Sequence, residues 1–136
     1  MNLINKKFNT LDDLNNKIFE KLLALLKTEC CPFFILSGGN SPRPLFRRIS
    51  QHKECFKKTI FLMSDERIVD IEDSESNEGE FLRLSNISKD NLISLRSKKI
   101  IQKLNDISSY DLAVLGMGDD GPVSYTHLTL PTIFRV

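Results

Sequence analysis

Phe33-Phe34-Ile35-Leu36-Ser37-Gly38-Gly39-Asn40-Ser41-Pro42 is an unbroken apolar run cut off by two glycines, with Pro42 and Pro44 close behind. Apolar side chains at every position, rather than at alternate ones, suit a strand buried on both faces. The glycines and prolines mark a tight loop, and Leu45 to Ile49 begin a helix after it. A similar pattern occurs twice more. Ile60-Phe61-Leu62-Met63 runs into Ser64-Asp65-Glu66-Arg67, and Leu112-Ala113-Val114-Leu115 runs into Gly116-Met117-Gly118-Asp119-Asp120-Gly121. Three buried-type strands separated by helical segments predict an α/β fold with an open, mostly parallel sheet and flanking helices. Loops at the carboxyl ends of such strands line the ligand crevice, so the three loops are expected to converge on one site.

Outward from these strands, Thr10 is placed to cap a first helix, with Asp13 as an acidic partner near the positive end of its dipole. Leu11, Leu14, Ile18, Leu22 and Leu25 recur at spacings of three and four and predict one buried stripe, the helix ending near residues 27–29. The acidic, apolar-poor stretch from Ile68 to Gly79 reads as a surface loop. Glu80 to Leu84 and Lys98 to Leu104 read as short helices. There is no internal repeat and no low-complexity tract.

The 136 residues fit one domain, and 19 basic residues against 18 acidic ones create no global field for nucleic acid or an anionic membrane. Any bound anion must be held locally, by a loop. Cys30, Cys31 and Cys55 are odd in number and form no C-x-x-C pair, so they do not read as a disulfide framework or zinc site. Cys30 and Cys31 lead straight into an apolar run and are expected to be buried thiols. The polar start and the absence of an apolar run long enough to span a bilayer lead to a cytoplasmic expectation.

Each loop admits two readings. In Ser37 to Arg43, glycines let backbone N–H groups approach an anion, Ser41 adds a hydroxyl donor and Arg43 a positive fork. A plain tight turn accounts for the same residues, and the spacing is not that of the nucleotide P-loop. Asp65 and Arg67 can accept from sugar hydroxyls and hold a phosphate, or form a solvated charge cluster. Gly116, Gly118, Asp119, Asp120 and Gly121 lack the spacing of a dinucleotide fingerprint, and Asp120 either orients a base or sits in a turn. His52, in the basic helix end Gln51-His52-Lys53, is explained by a dipole contact, and no Ser-His-Asp arrangement can be built.

Taken together, Ser37 to Pro42, Asp65-Glu66-Arg67, Ser76-Asn77 and Gly116 to Gly121 resemble, in order and separation, the motifs of the 6-phosphogluconolactonase family: S-G-G-x-[ST]-P, D-E-R, S-N and G-M-G-x-D-G-H. The resemblance covers roughly Leu11 to Gly121 and implies a Rossmann-like fold of the sugar-phosphate isomerase and lactonase type. It implies hydrolysis of 6-phospho-D-glucono-1,5-lactone to 6-phosphogluconate in the pentose phosphate pathway, with a sugar phosphate lactone as ligand and neither metal nor organic cofactor. Gly38, Gly39, Asn40 and Ser41 would line the phosphate site, Asp65 and Arg67 the polar wall, and Asp120 with Gly121 the floor beneath the base; Arg43, Gly116 and Gly118 complete the expected substrate-binding set.

The departure from the family falls at one residue. Its general-base histidine follows G-x-D-G, where this chain has Pro122, a side chain with no titratable group. The stretch Val123 to Thr132 resembles translated adaptor sequence, so a partial lactonase domain at 1–121 and a non-native tail at 122–136 are expected. With a base missing and the sheet cut after its third strand, the chain is expected to show little or no turnover and marginal solubility. Two other readings stand beside this one: an enzyme like glucosamine-6-phosphate deaminase or isomerase, in whose corresponding loop D-E-Y replaces D-E-R, and a non-catalytic sugar-phosphate-binding domain.

Overall fold

The computed structural model describes residues 4–116 and the strand backbone at 127–129. In chain order these form α1 (Leu11–Thr28), β1 (Phe33–Leu36), α2 (Arg43–Gln51), β2 (Ile60–Met63), β3 (Asp65–Arg67), α3 (Asn77–Ser85), β4 (Leu92–Ile93), α4 (Ile100–Asn105), β5 (Leu112–Val114) and β6 (His127–Thr129). Four strands make one sheet in the order β4-β2-β1-β5. All three of its pairings are parallel, with Ile35 opposite Leu62 on one side and Ala113 on the other. The expected open parallel sheet is therefore present. It gains one strand that the sequence pattern did not mark: β4 has only two residues, too few to show a period.

Every residue of β1 is buried, as its unbroken apolar run predicts. The strand's alternate residues feed two cores. Phe34 and Leu36 join Phe61 and Met63 beneath α1, α2 and α3, where Phe19, Phe46, Phe56 and Phe81 close a cluster of tilted and edge-on rings. Phe33, Ile35 and Leu62 face the other way against Leu104 of α4. Aromatic pairs at these 5.0–6.2 Å separations add to the area they bury. Among the described residues the second face has less cover, and Ile101 and Leu115 lie exposed beside it.

Thr10 caps α1 as read from the sequence, its Oγ1 accepting from Asp13 N at 3.0 Å. The buried stripe, however, is rotated from the one expected. Leu11 and Leu14 are 46% and 37% exposed, and the inward residues are Asn15, Phe19 and Leu22. Asn15 takes an inward place because its Nδ2 donates to Leu11 O and, across the domain, to Ser41 O at 3.0 Å. A leucine count could not register a polar side chain that binds a loop 26 residues away.

Three further expectations are corrected. Cys30 and Cys31 are exposed, as is Cys55, because they lie before and between strands rather than within them. Asp65–Arg67 is not a loop but a short strand, β3, pairing antiparallel with β6 so that Glu66 stands opposite Leu128. Finally, the surface loop from Ile68 stops short of Gly79. Ser76 caps α3 through Gly79 N at 3.0 Å, and Asn77, Glu78 and Gly79 are buried within its first turn.

Candidate functional site

The strand ends bring three segments together, as the loop argument predicts. Ser37 N donates to Val114 O at 2.8 Å and Ser64 N to Leu36 O at 2.7 Å, extending the sheet ladder past the ends of β1 and β2. These bonds set Ser37 beside Gly116, where an added Cβ would lie 3.4 Å from Ser37 Oγ. Asn77, at the start of α3, fills the space between the first two loops. Its Nδ2 donates to Asp65 O at 3.1 Å, and its amide lies against Gly38 so closely that a Cβ at 38 would come within 2.2 Å of Asn77 Cγ. Gly38 is thus a glycine because another side chain occupies its Cβ position. Gly39 is one for a different reason: its φ of 93° belongs to a region that L side chains rarely adopt.

The glycine loop has a polarity. Two of its carbonyls are committed, Asn40 O accepting from Arg43 N at 3.3 Å and Ser41 O from Asn15. The amides of Gly38, Gly39, Asn40 and Ser41 donate to no described residue. A row of uncommitted N–H groups where a strand gives way to a helix has the chemistry of an oxyanion or phosphate cradle. Arg43, expected to add a positive fork there, is turned to α3 instead. Its Nε and Nη2 meet the Glu80 carboxylate at 2.9 and 3.0 Å, and this pairing raises the guanidinium pKa. That bidentate bond ties α2 to α3.

The D-E-R run places its three side chains in different settings. Asp65, half-buried at the rim, accepts from Ser64 Oγ at 3.2 Å, and Arg67 pairs with Glu75 at the surface. Glu66 is fully buried behind them. Its Oε1 accepts from Arg67 N at 2.8 Å and Asn77 N at 2.7 Å; its Oε2 accepts from Ser76 Oγ at 2.9 Å and Glu78 N at 3.0 Å. A carboxylate at the amino terminus of α3 thereby satisfies two N–H groups that the helix itself leaves without partners. Arg96, from the loop after β4, stands 3.3 Å from the same oxygen.

Glu78, also fully buried, accepts from Ser94 Oγ at 2.6 Å and Leu95 N at 2.8 Å. Burial pushes its carboxyl above the ordinary range, and the neighbouring Glu66 adds to the shift, while the bonds from Ser94 and Leu95 and the charge of Arg96 oppose it. Sequence reasoning had no hold on Glu78, Ser94 and Arg96. Glu78 falls in the stretch read as a surface loop and no motif marks Ser94 or Arg96; Ser76, a residue type favoured at the N-cap, is the local signal of a helix start beside Glu78. Of the expected site residues, Gly38, Gly39, Asn40, Ser41 and Gly116 lie on loops at the strand ends, and Asp65 and Arg67 on β3 beside them. Gly118, Asp120, Gly121 and Pro122 lie outside the described residues. A separate depression of about 380 Å³, lined by Lys7, Asp13, Lys17 and Glu20, flanks the start of α1.

Comparison with known proteins agrees with this arrangement. Residues 5–124 match the family model described as glucosamine-6-phosphate isomerases/6-phosphogluconolactonase. The chain is 33% identical over 128 residues to the 6-phosphogluconolactonase of Thermotoga maritima, covering 84% of this chain and 58% of that one. It is 29% identical over 120 residues to the 6-phosphogluconolactonase of Pseudomonas putida, covering 79% and 50%. Thus it spans about half the length of the curated relatives it matches. The crystal structure of the Thermotoga maritima enzyme superposes with a TM-score of 0.70 at 28% identity, over 88% of this chain and 61% of that one. A monomeric glucosamine-6-phosphate deaminase shares the fold, with a TM-score of 0.67 at 14% identity over 83% and 54%. The parallel sheet and a family match over 5–124 lead to one conclusion: the chain belongs to the glucosamine-6-phosphate isomerase/6-phosphogluconolactonase family.

Proposed function

We propose that this chain carries the sugar-phosphate-binding part of a 6-phosphogluconolactonase and binds the phosphorylated lactone or its open acid without hydrolysing it. The observation that carries the reading is the meeting of the glycine loop with Asp65 and Asn77, beside amides that donate to no described residue. The amides of residues 38–41 and the Ser41 hydroxyl supply donors for phosphate oxygens; Asp65 offers an acceptor to a sugar hydroxyl, and Arg67 a positive edge. Arg67, in place of the tyrosine of the deaminase-type loop, favours the lactonase over the amino-sugar enzymes.

Lactone hydrolysis needs a base to activate water and donors for the tetrahedral oxyanion. The family places a histidine after G-x-D-G, and Pro122 stands there in this chain. His127 stands five positions later, and a misplacement of about 1 Å already costs roughly 100-fold in rate. Binding without turnover follows. Calorimetric titration with 6-phosphogluconate, beside a lactone-consumption assay corrected for spontaneous hydrolysis, tests both halves. Saturable binding with a rate equal to the blank supports the reading. Turnover well above the blank refutes the inactive half, and absence of binding refutes the whole. A cytoplasmic, metabolic setting is part of the same proposal.

A further inference from the structure

Behind the rim lies a cluster of charges that the binding loops do not use directly. Glu66 comes from β3 and Glu78 from the first turn of α3, and neither has any exposed surface. Two buried carboxylates face one guanidinium, that of Arg96. Arg96 Nη2 lies 3.3 Å from Glu66 Oε2, 3.3 Å from Ser76 Oγ and 3.4 Å from the main-chain oxygen of Arg67. Its Nε stands 4.0 Å from Glu78 Oε1 and, although buried, has no hydrogen-bond acceptor among the described residues. Arg96 N bonds Ser94 Oγ at 3.1 Å, and that hydroxyl donates to Glu78, which closes the ring. The other charges of α3 are engaged elsewhere, Glu80 with Arg43 and Arg83 with Ile71 O.

We infer that Arg96 is a positioning residue of the site: by balancing the buried Glu66 and Glu78 carboxylates it holds the Arg67 main chain and the start of α3, and thereby Asn77, in register with the glycine loop. A buried charge left without its partner is far more costly than the pair was beneficial, so the cluster is either complete or disrupted. Part of what it grips belongs to the rim. Glu66 holds the amides of Arg67 and Asn77, and Asn77 in turn holds Asp65 and lies against Gly38. The ligand part of the inference rests on the sugar-phosphate reading; the positioning part does not.

Amide NMR across a pH titration, combined with 6-phosphogluconate binding, tests it. In the unaltered chain the amides of Leu95, Asn77 and Arg67 should shift together, with one midpoint above the ordinary carboxylate range, and Glu78→Gln should abolish that shared transition. Arg96→Met should move the midpoint further up and weaken 6-phosphogluconate binding by about tenfold at neutral pH, less as the pH falls and Glu78 takes up a proton. The double variant Arg96→Met/Glu78→Gln should recover most of the loss, a rescue that a general packing role for Arg96 would not produce. Asn77 and Arg67 amides that ignore the Glu78 transition overturn the inference. Binding by Arg96→Met within about twofold of the unaltered chain overturns it as well. If the unaltered chain does not bind 6-phosphogluconate, the lactonase reading falls and the amide titration alone decides Arg96. Should Arg96→Met fail to fold, the titrations of the unaltered chain and of Glu78→Gln decide it.

Discussion

Around Glu66 the polar groups are committed inside the protein, whereas the loop from Gly38 to Ser41 directs none of its amides at a described residue. The two regions touch, through Asn77 and Gly38, yet they are built on opposite plans. The β3–α3 corner is a scaffold: a buried carboxylate, a capped helix start and a guanidinium, each satisfying another. In the proposed reading the glycine loop is the receptor: Ser41 O and Asn40 O are anchored to α1 and α2, and its amides donate to no described residue. On the proposed function, a corner whose polar groups are already paired, set against that loop, would let it receive an anion at a smaller entropic cost.

The contrast can be broken hardest at Gly79. An added Cβ there would lie 1.9 Å from the main-chain oxygen of Ile71, and backbone cannot move as a side-chain tip can. Gly79→Ala should destabilise the chain by about 3 kcal/mol or more, measured by denaturant titration, and should uncouple α3 from the acidic segment before it.

Next comes Glu66→Gln, which replaces a carboxylate accepting four hydrogen bonds with a group that can accept through one oxygen only. A loss of about 2–3 kcal/mol is expected. Hydrogen exchange should show the first turn of α3 opening ahead of the sheet. If both open together, the corner is not a separate scaffold.

Gly38→Ala tests the contact between the regions. Its Cβ would strike the Asn77 amide, which is movable but tied to Asp65 O, so a smaller cost of about 1–2 kcal/mol is expected together with loss of 6-phosphogluconate binding. Gly39→Ala meets no atom within 4 Å and pays only for its positive φ, about 1 kcal/mol. Loss of binding at position 38 with little change at 39 would show that register between the regions, not loop strain, governs the site.

The gentlest probe is pH. Because the Glu78 carboxyl is raised by burial, the folded chain holds a proton that the unfolded chain has already released. Stability should therefore fall as the pH rises through the window between the ordinary carboxylate value and the raised one. Glu78→Gln should flatten that slope in thermal melts, and an unchanged slope would place the titration elsewhere.

The sheet was legible in the sequence because its signals are local. Four consecutive apolar residues followed by glycines, or by a polar run, mark a strand whatever surrounds it. Strands form at 33–36, 60–63 and 112–114, although the third is only half-buried among the described residues and Leu115 is exposed. The Thr10 cap is local too, since it needs only residues three apart. The candidate site was half legible for the same reason. Gly38, Gly39, Asp65 and Gly116 sit at strand ends that the pattern locates, and topology alone brings parallel strand ends together.

Tertiary structure decided what depends on partners distant in the chain. Arg43 read as an anion fork, but Glu80, 37 residues on, claims it. Asn15 occupies an inward place in α1 because Ser41 needs a donor, and Glu66 is buried because α3 presents its N–H groups there. Glu78, which fell in the stretch read as a surface loop, is fully buried and, with Arg96, which no motif marked, joins α3 to the loop after β4. Periodicity and turn chemistry record what a residue prefers with its neighbours in sequence. Whether a charge meets water or another charge is settled only when the sheet closes the distance between them.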